Sequence, residues 1–231
     1  MFQFKQFSIV QEKSAMKVGT DGVLLGAWVP VHEKKNILDV GTGTGLIALM
    51  LAQRNLEANI DAIEIDDAAS LEATFNFNKS PWSERLKLTK ASFLDTTISQ
   101  KYDLIVSNPP YFTDSFKEQA SQRTLARHVG ALTFEVLLER SFEFLTNQGM
   151  CAFIIPYKEE STFVALAEAI GFYLKKRTRV KGREGIPYKR SLLYLSKEKC
   201  NCEKDELIVE IDRHVYTQDY INLTQPFYLK M

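Results

Sequence analysis

"NILDVGTGTGLIALMLAQR", residues 36–54, decides the fold. A short β-rich apolar run, "NILDV", enters a turn with glycine at every second position, Gly41, Gly43 and Gly45. The turn passes into "LIALMLAQR", which is apolar on nearly all sides and reads as a buried helix. A buried strand that turns through glycines into a helix is the opening unit of an α/β sheet. The glycines let the backbone turn sharply and let a ligand lie against bare peptide, in the crevice where open α/β sheets bind their ligands.

The alternation continues along the chain. "IDAIEI" (60–65) is strand-like, and Asp66 or Asp67 can cap the next helix, "AASLEATFNFN". "LKLTKA" (86–91) and "YDLIVS" (102–107) are the next strands, and an irregular stretch, 108–132, leads to a helix at about 133–146. Gly149 opens the strand "MCAFIIP", and "KEESTFVALAEAIG" is a helix ended by Gly171. "FYLKKRTRV" and "RSLLYLSK" are the last strands of the main sheet, joined by a basic loop; "ELIVEI" and a short tail close the chain. Strands alternating with helices predict a mostly parallel sheet with helices on both faces. With 231 residues, no internal repeat and no dividing linker, the expectation is one domain over 1–231, with small extensions around a core of about 20–200.

Composition is that of a soluble globular protein, 45% hydrophobic and 25% charged. No run is apolar enough to span a bilayer, and the first residues lack a secretory apolar region, so the expected location is the cytoplasm. Three cysteines make no disulfide framework. Cys200 and Cys202 lack a second ligand pair and read as a surface loop, not a metal site, while Cys151 reads as core. Net charge is zero, yet residues 175–190 carry eight basic residues, Lys181, Arg183, Lys189 and Arg190 among them, against one acid, Glu184. On charge alone that segment is equally a solvated loop or a phosphate-contacting patch.

The glycine spacing narrows the ligand. A dinucleotide fingerprint needs a third small residue where this chain has Leu46, and no GK[ST] is present for a phosphate loop. Glu64, ending the second strand, can accept both hydroxyls of a ribose. A ligand with a ribose and no pyrophosphate fits better than NAD. Asp39 with GxGxG and that later acid resembles the class I S-adenosyl-L-methionine-dependent methyltransferases. The resemblance implies a Rossmann-like α/β fold whose seven-stranded, mostly parallel sheet has an antiparallel last strand. It implies that Asp39, Gly41, Gly43 and Gly45 lie along the methionine portion of the cofactor, that Glu64 takes the ribose, and that Ile65 packs on adenine. Ser92 stands where the family often has an Asp against the adenine amino group; its hydroxyl and the Phe93 ring are the candidates there.

"SNPPY" (107–111) comes directly after the apolar run of the fourth strand. Neither proline can donate to a ladder, so the strand stops and presents an amide and a phenol at its carboxyl end. An amine conjugated to a ring is a poor nucleophile. Two acceptors, the Asn108 side-chain oxygen and the Pro109 carbonyl, can hold its hydrogens and aim its lone pair, with Pro109 and Pro110 keeping the chain fixed and Tyr111 stacking on a planar substrate. The string resembles the [N/D/S]PP[Y/F/W] signature of amino methyltransferases, which act on adenine N6, cytosine N4, guanine N2 or the glutamine amide.

Flanking segments narrow the substrate. "MKVGTDGVLLGAW" (16–28), with Thr20 and Asp21 before an amphipathic helix, is similar to segments that close over the methionine end in this group; Asp21 also reads as a helix N-cap. Arg123, Arg127 and His128 sit on an expected substrate-side loop. Together "TDGVLLGAW", "SNPPYF", "ARHVGALTFEVLL" and "YTQDYINLTQPFYL" resemble the bacterial tRNA(Val) adenine-N6 methyltransferases, which modify nucleotide 37. That resemblance implies a flipped anticodon-loop base, a tRNA partner with neither DNA nor membrane, a monomer, and RNA contacts from Arg123, Arg127, His128, Lys181, Arg183, Lys189 and Arg190. The alternatives are a ribosomal RNA guanine-N2 methyltransferase, a glutamine-amide methyltransferase and, from another class, a cofactor-binding module without catalysis.

Overall fold

Eight strands form the main sheet of the computed structural model, which describes residues 1–97, 99–110 and 132–230. In chain order they are β1 (Asn36–Val40), β2 (Asn59–Glu64), β3 (Leu86–Lys90), β4 (Tyr102–Ser107), β5 (Leu145–Pro156), β6 (Tyr173–Lys181), β7 (Arg190–Ser196) and β8 (Glu203–Ile208). The α-helices among the described residues are α1 (Thr20–Trp28), α2 (Leu46–Arg54), α3 (Asp67–Lys79), α4 (Phe134–Phe144), α5 (Glu160–Ile170) and α6 (Gln218–Thr224).

Side chains that alternate along the central strands feed two cores. Ile37, Leu104, Val106, Ala152 and Ile154 join the core under α1 and α2. Leu38, Val40, Ile105, Phe153 and Ile155 join the one that takes in Leu137 and Leu138 of α4 and Phe163 of α5. Both faces of the sheet are therefore covered, as a parallel sheet requires. Cys151 is fully buried in the second core.

The strand order is β3-β2-β1-β4-β5-β7-β6-β8. Only β7 runs antiparallel to its neighbours, β5 and β6. This is the expected arrangement with one strand more. β8 adds in parallel to β6, from Glu203 opposite Lys176 to Ile208 opposite Lys181. The apolar run "ELIVEI" pointed to a strand a few residues later. Charge sets the observed register instead: Lys176 Nζ lies 3.1 Å from Glu203 and 2.8 Å from Asp205 across the pair. Beyond β8 the chain forms a short hairpin, Glu210–Asp212 with Val215–Tyr216.

Local signals account for most element ends. Asp66 caps α3, its Oδ1 accepting from Ala69 N at 2.8 Å, and Gly171 ends α5 at φ 110°. Two readings are corrected. Gly149 does not open β5, which begins at Leu145; a side chain there would meet the Tyr102 carbonyl oxygen at 2.8 Å, so glycine serves strand approach. Asp21 is not an N-cap, because α1 starts at Thr20 with Gly19 as a cap that has no side-chain bond. The two chain ends meet: Lys5 N donates to Phe227 O at 2.8 Å, and Phe4 and Phe227 share the first core.

From β1 the chain crosses toward β2, while β4 lies on the other side of β1. The carboxyl ends of β1 and β4 thus form a switch point, where open α/β sheets leave a crevice. Ser107 Oγ donates to Val40 O at 2.7 Å and joins the two ends.

Candidate active site

The turn after β1 uses left-handed backbone three times, at Gly41 (φ 68°), Gly43 (φ 59°) and Gly45 (φ 88°). The three glycines do different work. A Cβ on Gly41 or Gly43 would meet nothing within 4 Å, so both face open space. A Cβ on Gly45 would meet Phe77 at 2.5 Å; Gly45 lets α2 start against α3 and does not line the cavity. Asp39 is likewise not a lining residue. It is fully buried beneath the turn, where its Oδ2 accepts from Thr42 Oγ1 at 2.6 Å and from Ala48 N at 3.1 Å. Its Oδ1 has no hydrogen-bond partner among the described residues. Burial raises its pKa to about 7, against the pull of those two donors.

Glu64, at the end of β2, is buried and shapes the same turn. Its Oε2 accepts from Gly43 N at 2.8 Å, and its Oε1 accepts from Ile65 N and Asp66 N, each at 2.8 Å. A carboxylate oxygen has more than one lone pair, so these bonds fix its direction without exhausting its acceptor capacity.

These groups wall a cavity of about 700 Å³ at the switch point. Thr20, Asp21, Gly41, Gly43, Glu64, Ile65, Ser92, Phe93, Asn108 and Arg190 all line it. Ile65 is 63% exposed, an apolar side chain lying open at the cavity wall. Phe93 is mostly committed to the core, edge-on to Phe144 with centroids 5.7 Å apart. Ser92 Oγ accepts from Leu94 N at 3.2 Å, holding the turn after β3. Asn108 and Pro110 line the cavity just past the end of β4; Pro109 between them is buried and is not a lining residue. One cavity therefore runs from the acid of β2 to the amide of β4.

Tyr111, Arg123, Arg127 and His128 lie outside the described residues. The first half of the basic segment 175–190 lies in the strand β6, where "FYLKKRTRV" was expected, and most of the segment's charge is matched by acids. Glu160 takes Arg177 at 2.9 Å and Arg179 at 2.7 Å. Lys181, 9% exposed, is held by Glu184 and Glu206; Arg183 reaches Glu210 and Asp212. Lys189 is exposed. Arg190 turns into the cavity wall, its Nε donating to Asp21 Oδ2 at 2.7 Å.

Met16, Lys17 and Val18, from the segment expected over the methionine end, line the cavity together with Thr20 and Asp21. Sequence reasoning missed the polar pair Glu72 and Asn76 on α3, which hold residues 10–14 just before Met16. A signal was present: both fall on the helical stripe of Ala69, Ala73 and Phe77, where apolar residues belong.

The family model of the methyltransferase small domain matches residues 12–171. A tRNA1(Val) (adenine(37)-N6)-methyltransferase of Flavobacterium psychrophilum is 54% identical over 235 residues, covering 100% of both chains. Its counterpart in Bacteroides fragilis is 46% identical over 233 residues, covering 100% of this chain and 98% of that one. Among solved structures, a protein described as a predicted O-methyltransferase from Agrobacterium tumefaciens superposes with a TM-score of 0.71 at 18% identity, over 90% of this chain and 96% of that one. A methyltransferase from Pyrococcus furiosus gives 0.60 at 21%, over 84% and 90%. At those identities the structures speak to the fold alone.

Proposed function

The chain belongs to the tRNA1(Val) (adenine(37)-N6)-methyltransferases of the methyltransferase small domain family, and from that premise we propose that it methylates N6 of adenine 37 in tRNA1(Val) with S-adenosyl-L-methionine. One observation carries the residue assignment: Asn108 of "SNPPY" lines the same cavity as Gly41, Gly43 and Glu64.

The residues present fit the cofactor. Gly41 and Gly43 leave space that any Cβ would fill, Glu64 is aimed by three backbone N–H groups, and Ile65 offers an exposed apolar side chain for a ring. When bound, the cofactor supplies an electrophilic methyl group on a sulfonium. Glu64 would accept the ribose hydroxyls, Ile65 and Phe93 would flank adenine, and Thr20 and Asp21 would serve the methionine end. Asp39 acts indirectly, by setting Thr42 and the start of α2.

The target amine is prepared by the strand end. The Asn108 side-chain oxygen and the Pro109 carbonyl would accept the two N6 hydrogens and orient the nitrogen lone pair for transfer. Both acceptors sit on a rigid strand terminus, which keeps them oriented without reorganisation as positive charge develops on nitrogen. No strong base would be required: a nitrogen that takes the methyl group as its bond to sulfur breaks becomes cationic, and its proton passes readily to water. Tyr111 stacks on the base. For the RNA, Lys189, with Arg123, Arg127 and His128, contacts the anticodon arm; Arg190 belongs to the cavity wall, and Lys181 and Arg183 serve mainly to tie the β6–β7 loop to β8 and its hairpin. A tRNA substrate agrees with a cytoplasmic location.

The test is direct. Purified protein is incubated with labelled cofactor and total tRNA from a strain without the activity, and the nucleosides are identified after digestion. N6-methyladenosine at position 37 is expected. N2-methylguanosine, or label in protein alone, would overturn the assignment.

A further inference from the structure

Residues 10–19 contain no helix or strand, yet Met16, Lys17, Val18 and Gly19 form one wall of the cavity. The segment is fixed by α3. One carboxylate oxygen of Glu72 accepts from Glu12 N at 2.6 Å and Lys13 N at 2.7 Å. The other accepts from Ser14 N at 3.1 Å and from the Ser14 hydroxyl. One turn further on, Asn76 is 2% exposed. Its Oδ1 accepts from Val10 N at 2.8 Å, and its Nδ2 donates to Val10 O at 3.0 Å and to Thr44 O at 2.9 Å. Thr44 belongs to the glycine turn, and Phe77, the next residue of α3, fills the space above Gly45. A single helix face therefore grips both the N-terminal segment and the cofactor turn.

Burying a carboxylate and an amide is costly unless their partners are well placed, and an apolar pair on this stripe would pack without that cost. The cost is offset only by what the two groups organise. We propose that Glu72 and Asn76 are positioning residues for cofactor binding: they hold residues 10–14 and Thr44 in one register, so that Met16–Gly19 close one side of the cavity. Neither residue lines the cavity. The proposal rests on the cavity's role as the cofactor site. Burial opposes the charge on Glu72, but the backbone N–H groups and the Ser14 hydroxyl outweigh it and hold the carboxyl at about 2, so Glu72 is an anion throughout the working range.

Glu72→Gln keeps the shape but sets an amide NH2 against backbone donors. Asn76→Ala removes the link between Val10 and Thr44. Each is expected to weaken binding of S-adenosylhomocysteine, read by calorimetry, between about 10- and 100-fold. The KM for S-adenosylmethionine should rise in parallel, while kcat at saturation and the KM for tRNA stay at wild-type values. Trypsin should cut faster after Lys13 and Lys17, with less protection by S-adenosylhomocysteine. Phe163→Leu, in the opposite core, is the control: it lowers the melting temperature without moving the dissociation constant. If Glu72→Gln does not fold, Ser14→Ala removes one donor and is expected to weaken binding roughly threefold to tenfold. Wild-type affinity in these variants, or a change no larger than that of Phe163→Leu, overturns the proposal. A wild-type protein that does not bind S-adenosylhomocysteine overturns the cofactor reading and this proposal with it.

Discussion

Replacing Gly45 with alanine separates packing from ligand binding in the glycine turn. At φ 88° an alanine pays the left-handed penalty, about 1–2 kcal/mol. Its Cβ also falls 2.5 Å from Phe77 Cε1 and 3.2 Å from Cδ1 and Cζ of the same ring. Phe77 is 3% exposed within the first core, so the ring cannot swing away, and overpacking adds about 1–3 kcal/mol. The sum, roughly 2–5 kcal/mol, lowers the melting temperature of a chain this size by about 4–20 °C. Gly43→Ala carries the backbone penalty alone, because nothing lies within 4 Å of its Cβ. It should melt only about 2–8 °C low, yet lose cofactor affinity about 10- to 100-fold as the new methyl enters the cavity. Scanning fluorimetry gives the first quantity and calorimetry with S-adenosylhomocysteine the second. Phe77→Leu in the Gly45→Ala background should recover at least about 0.5 kcal/mol relative to additivity. If Gly45→Ala melts no lower than Gly43→Ala, or the double variant is strictly additive, the contact with Phe77 does not explain Gly45.

Asn108→Ala should bind S-adenosylhomocysteine nearly normally and lose about 100- to 1000-fold in kcat, measured on tRNA in single turnover; an equal loss in cofactor affinity would contradict its placement at the target amine. Asp39 bears on pH. Its native pKa, at about 7, exceeds the unfolded value, so the folded state binds the extra proton, and this group's contribution falls as pH rises from about 4 through 7. Urea unfolding should show a decline of at most about 1.4 kcal/mol per pH unit in that window, absent from Asp39→Asn. Lys189→Ala should weaken tRNA binding and reduce the salt slope by about one, whereas Lys181→Ala should leave the slope unchanged, since Lys181 is already paired with Glu184 and Glu206; filter binding across a salt series distinguishes them.

Much of the fold was legible because it rests on local rules. "NILDV" with spaced glycines after it could only be a buried strand turning into a helix, and α2 spans Leu46–Arg54 as its apolar run reads. β8 was misplaced because its register is set by ions facing Lys176, and apolar alternation carries no information about cross-strand charge. At the cavity, positions that leave space or end a strand were visible: Gly41, Gly43, Glu64 and Asn108 all line it. Asp39 and Gly45 were assigned to the ligand, though both serve the turn from beneath. Composition at those two positions cannot distinguish contact from support. Arg190 was read with the basic segment, and only its partner Asp21, far away in the chain, shows that it belongs to the cavity wall.

The bond from Ser107 Oγ to Val40 O joins the peptide just before the cofactor turn to the peptide just before Asn108. Donor and acceptor thus hang from adjacent strands of one rigid sheet, and their separation is inherited from strand spacing. A change in a loop outside the sheet can therefore alter what enters the cavity without altering the distance between the two strand ends.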